Sequence, residues 1–206
     1  MISLFPVAQN QMVNLSAHVL RAGVIPFTIY DNRLYFLMGI DRATGELTDF
    51  GGHSKMTETI AETALRELTE ETCEIFKDDL RMAQIISSPF VVFRGGVAIL
   101  FIYIHPKWLM TASEKFKENQ ALFEDNKNYT ELSGVRWLKD YEFIIAAFNP
   151  HVQIIWKHVQ TVLFRGTDWN RLYWSIILKS DISIFANPLS TTNGWLGGKQ
   201  SMVVGS

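Results

Sequence analysis

The stretch GGHSKMTETIAETALRELTEETCEIF, residues 51 to 76, limits the fold more than any other part of this chain. It sets six glutamates, at 58, 62, 67, 70, 71 and 74, around the single arginine Arg66. Ala61, Ala64, Leu65 and Leu68 recur at i, i+3, i+4 and i+7, the spacing of one buried helix face. The expected helix starts near Thr57, without a full capping box, and ends near Thr72. On it Glu67 and Glu71, and Glu70 and Glu74, stand four apart, where like charges repel by about 0.2–0.5 kcal/mol. Such a helix needs a core for its apolar stripe and a compensating charge from outside itself.

The rest of the chain supplies the core. Residues 22 to 30 and 34 to 40 are β-branched and aromatic runs parted by Asp31-Asn32-Arg33, a turn signal between two strands. A further turn is expected at Thr44-Gly45-Glu46. Strand-like runs follow at 82 to 93 and 97 to 104, parted by Arg94-Gly95-Gly96. The polar run 112 to 128 suits an exposed helix or long loop. A short strand at 134 to 138 precedes two helical segments, 139 to 147 and 151 to 164. This order implies an α+β domain, a mixed sheet packed by helices, over residues 21–165. Residues 1–20 read as an N-terminal extension. From 166 to 206 the pattern weakens into a C-terminal extension whose last fifteen or so residues, rich in Gly, Ser, Thr and Asn, are expected to be mobile.

Composition removes several function classes. A net charge of -2 over 206 residues offers no basic field for nucleic acid, so an acidic ligand must be held locally. Cys73 is the only cysteine, so an intrachain disulfide is impossible and a reducing compartment is expected. The first twenty residues lack a basic n-region before Arg21, and the most apolar window, 97 to 104, is far short of a bilayer span. A cytoplasmic location is the expectation.

At 100° per residue, Glu67, Glu70, Glu71 and Glu74 fall together, away from the Ala/Leu stripe. Clustered carboxylates without matching lysines suit hard divalent cations, which take oxygen ligands and bridge them to phosphates. Arg66 stands four residues from both Glu62 and Glu70, as an orienting salt bridge would. Gly51-Gly52 lets backbone approach a ligand closely. The decisive feature is spacing: from Gly52 the chain reads G-x5-E-x7-R-E-L-x-E-E. At about one in fifteen per fixed position, six such matches arise roughly once in ten million starting points.

This segment resembles the signature of the Nudix hydrolase family, G-x5-E-x7-R-E-U-x-E-E-x-G-U with U a bulky apolar residue, over positions 52 to 74. The resemblance implies an α/β/α sandwich that hydrolyses a nucleoside diphosphate linked to another group with Mg²⁺ or Mn²⁺. It implies Glu67, Glu70 and Glu71 as metal-binding and catalytic glutamates, a metal-directed carbonyl at Gly51, and Glu58 with Arg66 locking the loop to the helix beside Gly52. It further implies an acid from the loop before strand 134 to 138, for which Glu131 is the candidate. His53, Arg21 and Arg94 are candidate phosphate contacts, and Trp137, Trp156, Trp169 and Trp174 candidate base stackers. A free nucleotide or nucleotide-sugar substrate is preferred to a capped RNA 5′ end, with a non-catalytic nucleotide-sensing module as the other alternative. A homodimer is compatible. Two positions depart from the signature: its late glycine is Cys73, and its last apolar position is Glu74. A cysteine at positive φ is strained, so the helix is expected to run on or to close with a different turn.

Overall fold

The computed structural model describes residues 19–80 and 90–179. The first part of the strand expected at 82 to 93, nearly all of the N-terminal extension and the C-terminal run expected to be mobile lie outside the described residues. Strand β1 (Arg21–Tyr30) is central. It pairs in parallel with β6 (Val97–Tyr103), which carries β5 (Phe90–Arg94) antiparallel at the edge. On its other side β1 pairs with two strands in succession. Its first half meets β4 (Phe50–His53), from Arg21↔His53 to Val24↔Phe50, and its second half meets β2 (Arg33–Asp41), from Phe27↔Phe36 to Tyr30↔Arg33. Strand β2 also carries β3 (Leu47–Thr48) and β7 (Leu132–Lys139), which completes a seven-stranded mixed sheet. The β1–β2 hairpin turns on Asp31 and Asn32, at φ 49° and 56°. Both are residue types that tolerate the left-handed region, and a two-residue hairpin turn of this hand requires it.

Strand alternation splits the core in two. Ala22, Val24, Ala98, Leu100 and Ile102 face one side, packed by α1 (Ile60–Glu71) and α2 (Trp108–Gln120). Phe27, Ile29, Ile99 and Phe101 face the other, packed by α3 (Asp140–Phe148), α4 (Lys157–Gly166) and α5 (Trp169–Lys179). There Phe36 stacks on Phe143 at 4.1 Å, and Trp169 meets Phe36 edge-on. The chain is thus an α+β protein with helices on both faces of a mixed sheet, the fold class expected. Leu172 and Ile176 of α5 are fully buried, so the packed unit continues past the boundary placed at 165.

Helix α1 begins at Ile60, three residues later than expected, and it has the full capping box the sequence reading denied it. Thr59 Oγ1 accepts from the Glu62 amide at 3.2 Å, and Glu62 Oε2 accepts from the Thr59 amide at 2.8 Å. Lys55 to Glu58 form the preceding turn, in which the Glu58 amide donates to the Lys55 carbonyl at 2.9 Å. At the other end the expectation fails outright: Cys73 has φ 51° and Glu74 φ 61°. The Cys73 amide donates to Glu70 O at 3.1 Å and the Glu74 amide to Thr69 O at 2.8 Å, the paired bonds of a Schellman closure. Left-handed backbone costs each side chain about 1–2 kcal/mol. Here tertiary contacts outweigh that cost. Cys73 is fully buried, Asn119 Nδ2 donates to its carbonyl at 2.8 Å, and Tyr129 Oη donates to Glu74 Oε1 at 3.1 Å. Glu74 is therefore off the helix and does not join the acidic face.

Candidate active site

Strand β4 sets Gly51 against Gly23 of β1, and three glycines there are required by contact. A Cβ on Gly52 would run into the Glu67 carboxylate, one on Gly23 into Asp49, and one on Gly51 into Gly23. The box residues then close around Arg66. Its guanidinium grips Glu58 with both arms, Nε to Oε1 at 2.7 Å and Nη2 to Oε2 at 3.0 Å, and Nη2 also donates to the His53 carbonyl at 3.0 Å. Nη1 donates to Glu67 Oε1 and, at 3.3 Å, to Glu70 Oε2. The Arg66 hydrogen bonds hold the Glu58 carboxyl down to about 2. This fork joins the loop to the helix, and Glu62 is a cap and not an Arg66 partner.

Glu71 is not on a solvated face. It is 7% exposed, and its Oε2 accepts from the Gly51 amide at 2.7 Å. Burial first, and then the charges of Asp49 and Glu67, push its carboxyl well above the usual range. Burial likewise raises Glu67, with the nearby charges of Glu70 and Glu131 adding to it and Arg66 opposing.

Glu67, Glu71, Glu131, Gly51, Gly52, His53 and Arg21 all line one cleft of about 470 Å³. Glu70, 3.3 Å from Arg66 Nη1, does not. Arg94 does not either. It sits at the β5–β6 turn, where Nη1 donates to the Arg165 carbonyl at 3.0 Å. Arg21 reaches the cleft but is a committed group: it forks onto buried Asp49 at 2.7 and 2.8 Å, and Nη2 donates to the Gly51 carbonyl at 2.9 Å. Burial opposes its charge, yet Asp49 with the charges of Glu71 and Glu67 together outweighs burial, and the guanidinium is held more firmly protonated. Three of the five guanidinium donors of Arg21 are thus spent on the fold itself. One support beneath the cleft was not foreseen. Asp49 is fully buried, and its carboxylate anchors Arg21. Trp156, just before α4, is the one candidate stacker that lines the cleft, with Arg21 over its ring at 5.6 Å. Trp169 is core, and Trp137 Nε1 donates to the Trp108 carbonyl at 3.2 Å.

Among the described residues, no three His, Cys, Asp or Glu side chains are gathered closely enough to hold a metal ion as they stand. The donor chemistry nevertheless fits a hard cation: the carboxylates of Glu67, Glu71 and Glu131 and the Gly51 carbonyl are oxygen donors, and burial together with neighbouring like charges raises Glu67 and Glu71 in a way a cation would oppose. A carbonyl oxygen carries two lone pairs, and Arg21 takes one of those on Gly51. Cys73 is no nucleophile, since burial pushes its thiol up to about 11. No helix among the described residues is long and apolar enough to cross a membrane.

No family model matches the chain, and no curated protein does. Solved structures do. One is a MutT/nudix family protein from Enterococcus faecalis, with 13% identity and TM-score 0.37 over 59% of this chain and 43% of that one. The chain thus spans less than half the length of that match. Another is an Ap4A hydrolase from C. elegans, with 12% identity and TM-score 0.42 over 77% of this chain and 98% of that one. A third is the NUDIX domain of Shewanella oneidensis NrtR, complexed with ADP ribose, with 14% identity and TM-score 0.37 over 70% and 83%. Likeness at this level carries no argument about activity. The resemblance to the Nudix signature rests on the chain's own residues, which fold as a glycine-bearing strand, a loop and a helix locked by Glu58 and Arg66.

Proposed function

We propose that this chain is a Mg²⁺- or Mn²⁺-dependent hydrolase of a pyrophosphate bond in a nucleoside diphosphate joined to another group. The observation that carries the reading is the lining of one cleft by Glu67, Glu71 and Glu131 together with the Gly51 carbonyl and the Arg21-backed ring of Trp156. Glu67, Glu71 and the Gly51 carbonyl would hold the cation. Once bound, it would neutralise the pyrophosphate and lower the pKa of the attacking water. Glu131, exposed on its loop, is assigned to accept that water's proton. Gly51 is fixed from both ends, its amide by Glu71 and its carbonyl by Arg21. Trp156, 41% exposed and backed by a cation, offers a flat face to a nucleobase. The net charge of -2 favours a free nucleotide or nucleotide sugar over capped RNA.

One observation favours a second reading. Glu70 is tied to Arg66 outside the cleft, as a non-catalytic nucleotide-sensing module could tolerate. Phosphate release from a panel of nucleoside diphosphate derivatives, with Mg²⁺ or Mn²⁺, separates the two. Hydrolysis by wild type and its loss in Glu71→Gln support the enzyme. Equal activity in both, or none in either, overturns it, and nucleotide binding without turnover supports the sensing module. Glu70→Gln reports whether Glu70 leaves Arg66 to act.

A further inference from the structure

The two positions that depart from the signature lie against the loop that presents Glu131. Beyond α2, residues 127 to 132 pass from a short 3-10 turn into β7. On one side Tyr129 Oη donates to Glu74 Oε1 at 3.1 Å, and Cys73 Sγ lies 3.5 Å from the Tyr129 carbonyl. The Tyr129 ring is stacked on Phe123 at 4.2 Å, which fixes where its hydroxyl points. On the other side stands Arg42. Its Nε donates to Thr130 O at 2.7 Å, its backbone amide to Glu131 O at 3.0 Å, and its Nη2 to Leu132 O at 3.0 Å. Three successive carbonyls are taken by one residue. Arg42 makes no ion pair with Glu131 among the described residues, so the carboxylate stays with the cleft it lines.

We propose that Arg42 and the Glu74–Tyr129 pair are positioning residues that hold the 127–132 loop so that Glu131 faces the cleft, and that Cys73-Glu74 replaced the usual box ending to build this strut. Glycine at 73 would give the same left-handed turn but no thiol against Tyr129. An apolar side chain at 74 would accept nothing from its hydroxyl. The functional half of the proposal rests on the hydrolase reading above; the structural half does not.

Two measurements keep these halves apart. Amide hydrogen exchange of wild type, Arg42→Lys and Tyr129→Phe reads the loop whether or not any substrate is turned over. The expected result is exchange in 127 to 132 faster by about tenfold or more, with α1 unchanged, because a lysine cannot reproduce the guanidinium fork. Unchanged protection of the loop in both variants overturns the strut. The second measurement is a kinetic cycle on a hydrolysed nucleoside diphosphate derivative. Arg42→Lys and Tyr129→Phe should each lower kcat by about tenfold to a hundredfold with little change in KM, as a displaced catalytic group does. In a Glu131→Gln background the same changes should cost less than about twofold. Losses of equal size in both backgrounds would show that these residues do not act through Glu131. If wild type hydrolyses nothing on the panel, the hydrolase reading fails, and hydrogen exchange still decides the strut.

Discussion

Cys73 carries a side chain at a backbone conformation that glycine adopts freely, which makes an unusual ranking of variants testable. Cys73→Gly relieves the left-handed strain but gives up a buried thiol, so the two effects, each about 1 kcal/mol, nearly cancel. Cys73→Ala gives up the thiol and keeps the strain, so denaturant midpoints should rank Gly above Ala, the reverse of an ordinary helix position. Glu71 offers a second test. Its folded pKa lies above its unfolded value, so stability is fullest below about 4.5 and falls as pH rises through the window above it. Glu71→Gln should therefore stabilise the metal-free protein at pH 8 by about 0.5–2 kcal/mol while removing hydrolysis. At this scale the signature residues were legible because fixed spacing reports a fixed contact set. Asp49 was not, since one carboxylate in Leu-Thr-Asp-Phe has no periodic partner, and Arg21, which neutralises it, lies 28 residues earlier.

The element most responsible for the site is α1, held by its apolar face and by the Glu58–Arg66 lock. Leu68 is 1% exposed, and Leu68→Ala should cost about 2–5 kcal/mol in chemical denaturation. The lock predicts a pH dependence of opposite sign to that of Glu71. Arg66 holds the Glu58 carboxyl at about 2, against 4.5 for the free group, so its contribution is complete above about 4.5 and is lost as pH falls toward 2. Glu58→Gln should flatten that acid limb when midpoints are followed from pH 6 to 3; an unchanged limb would place the loss elsewhere. Strands β1, β2, β6 and β7 and helix α3 were legible within a few residues from their periodicity, whereas α4 begins six residues later than expected and α2 was left open between helix and loop. Strands β3 and β4 were missed because two residues, or four containing Gly-Gly, are too short to show alternation, and they exist by pairing with β2 and β1. The onset of α1 was misplaced because Thr57 and Thr59 are both acceptable caps, and Glu62 decides between them.

For the molecule as a whole, the sequence pattern faded after 165 although the packing did not. Leu172 and Ile176 seal the sheet face that holds Phe36 and Phe143, so a chain ending at 165 should lose about 3–6 kcal/mol of burial and unfold at a markedly lower temperature. The order of the longer strands, and of the helices up to residue 165, was legible in advance. The meeting of Glu67, Glu71 and Glu131 was expected only through the resemblance, and that of Trp156 with them could not be read from spacing, because segments far apart in the chain meet only in the finished sheet. The central claim is that crowded carboxylates in that cleft are a metal site. Titration calorimetry with Mn²⁺ in two buffers of different ionisation enthalpy tests it most directly. The expected result is binding by wild type with release of a proton from Glu71, and binding at least about tenfold weaker in Glu71→Gln. No binding by wild type, or equal affinity in the two proteins, would contradict it.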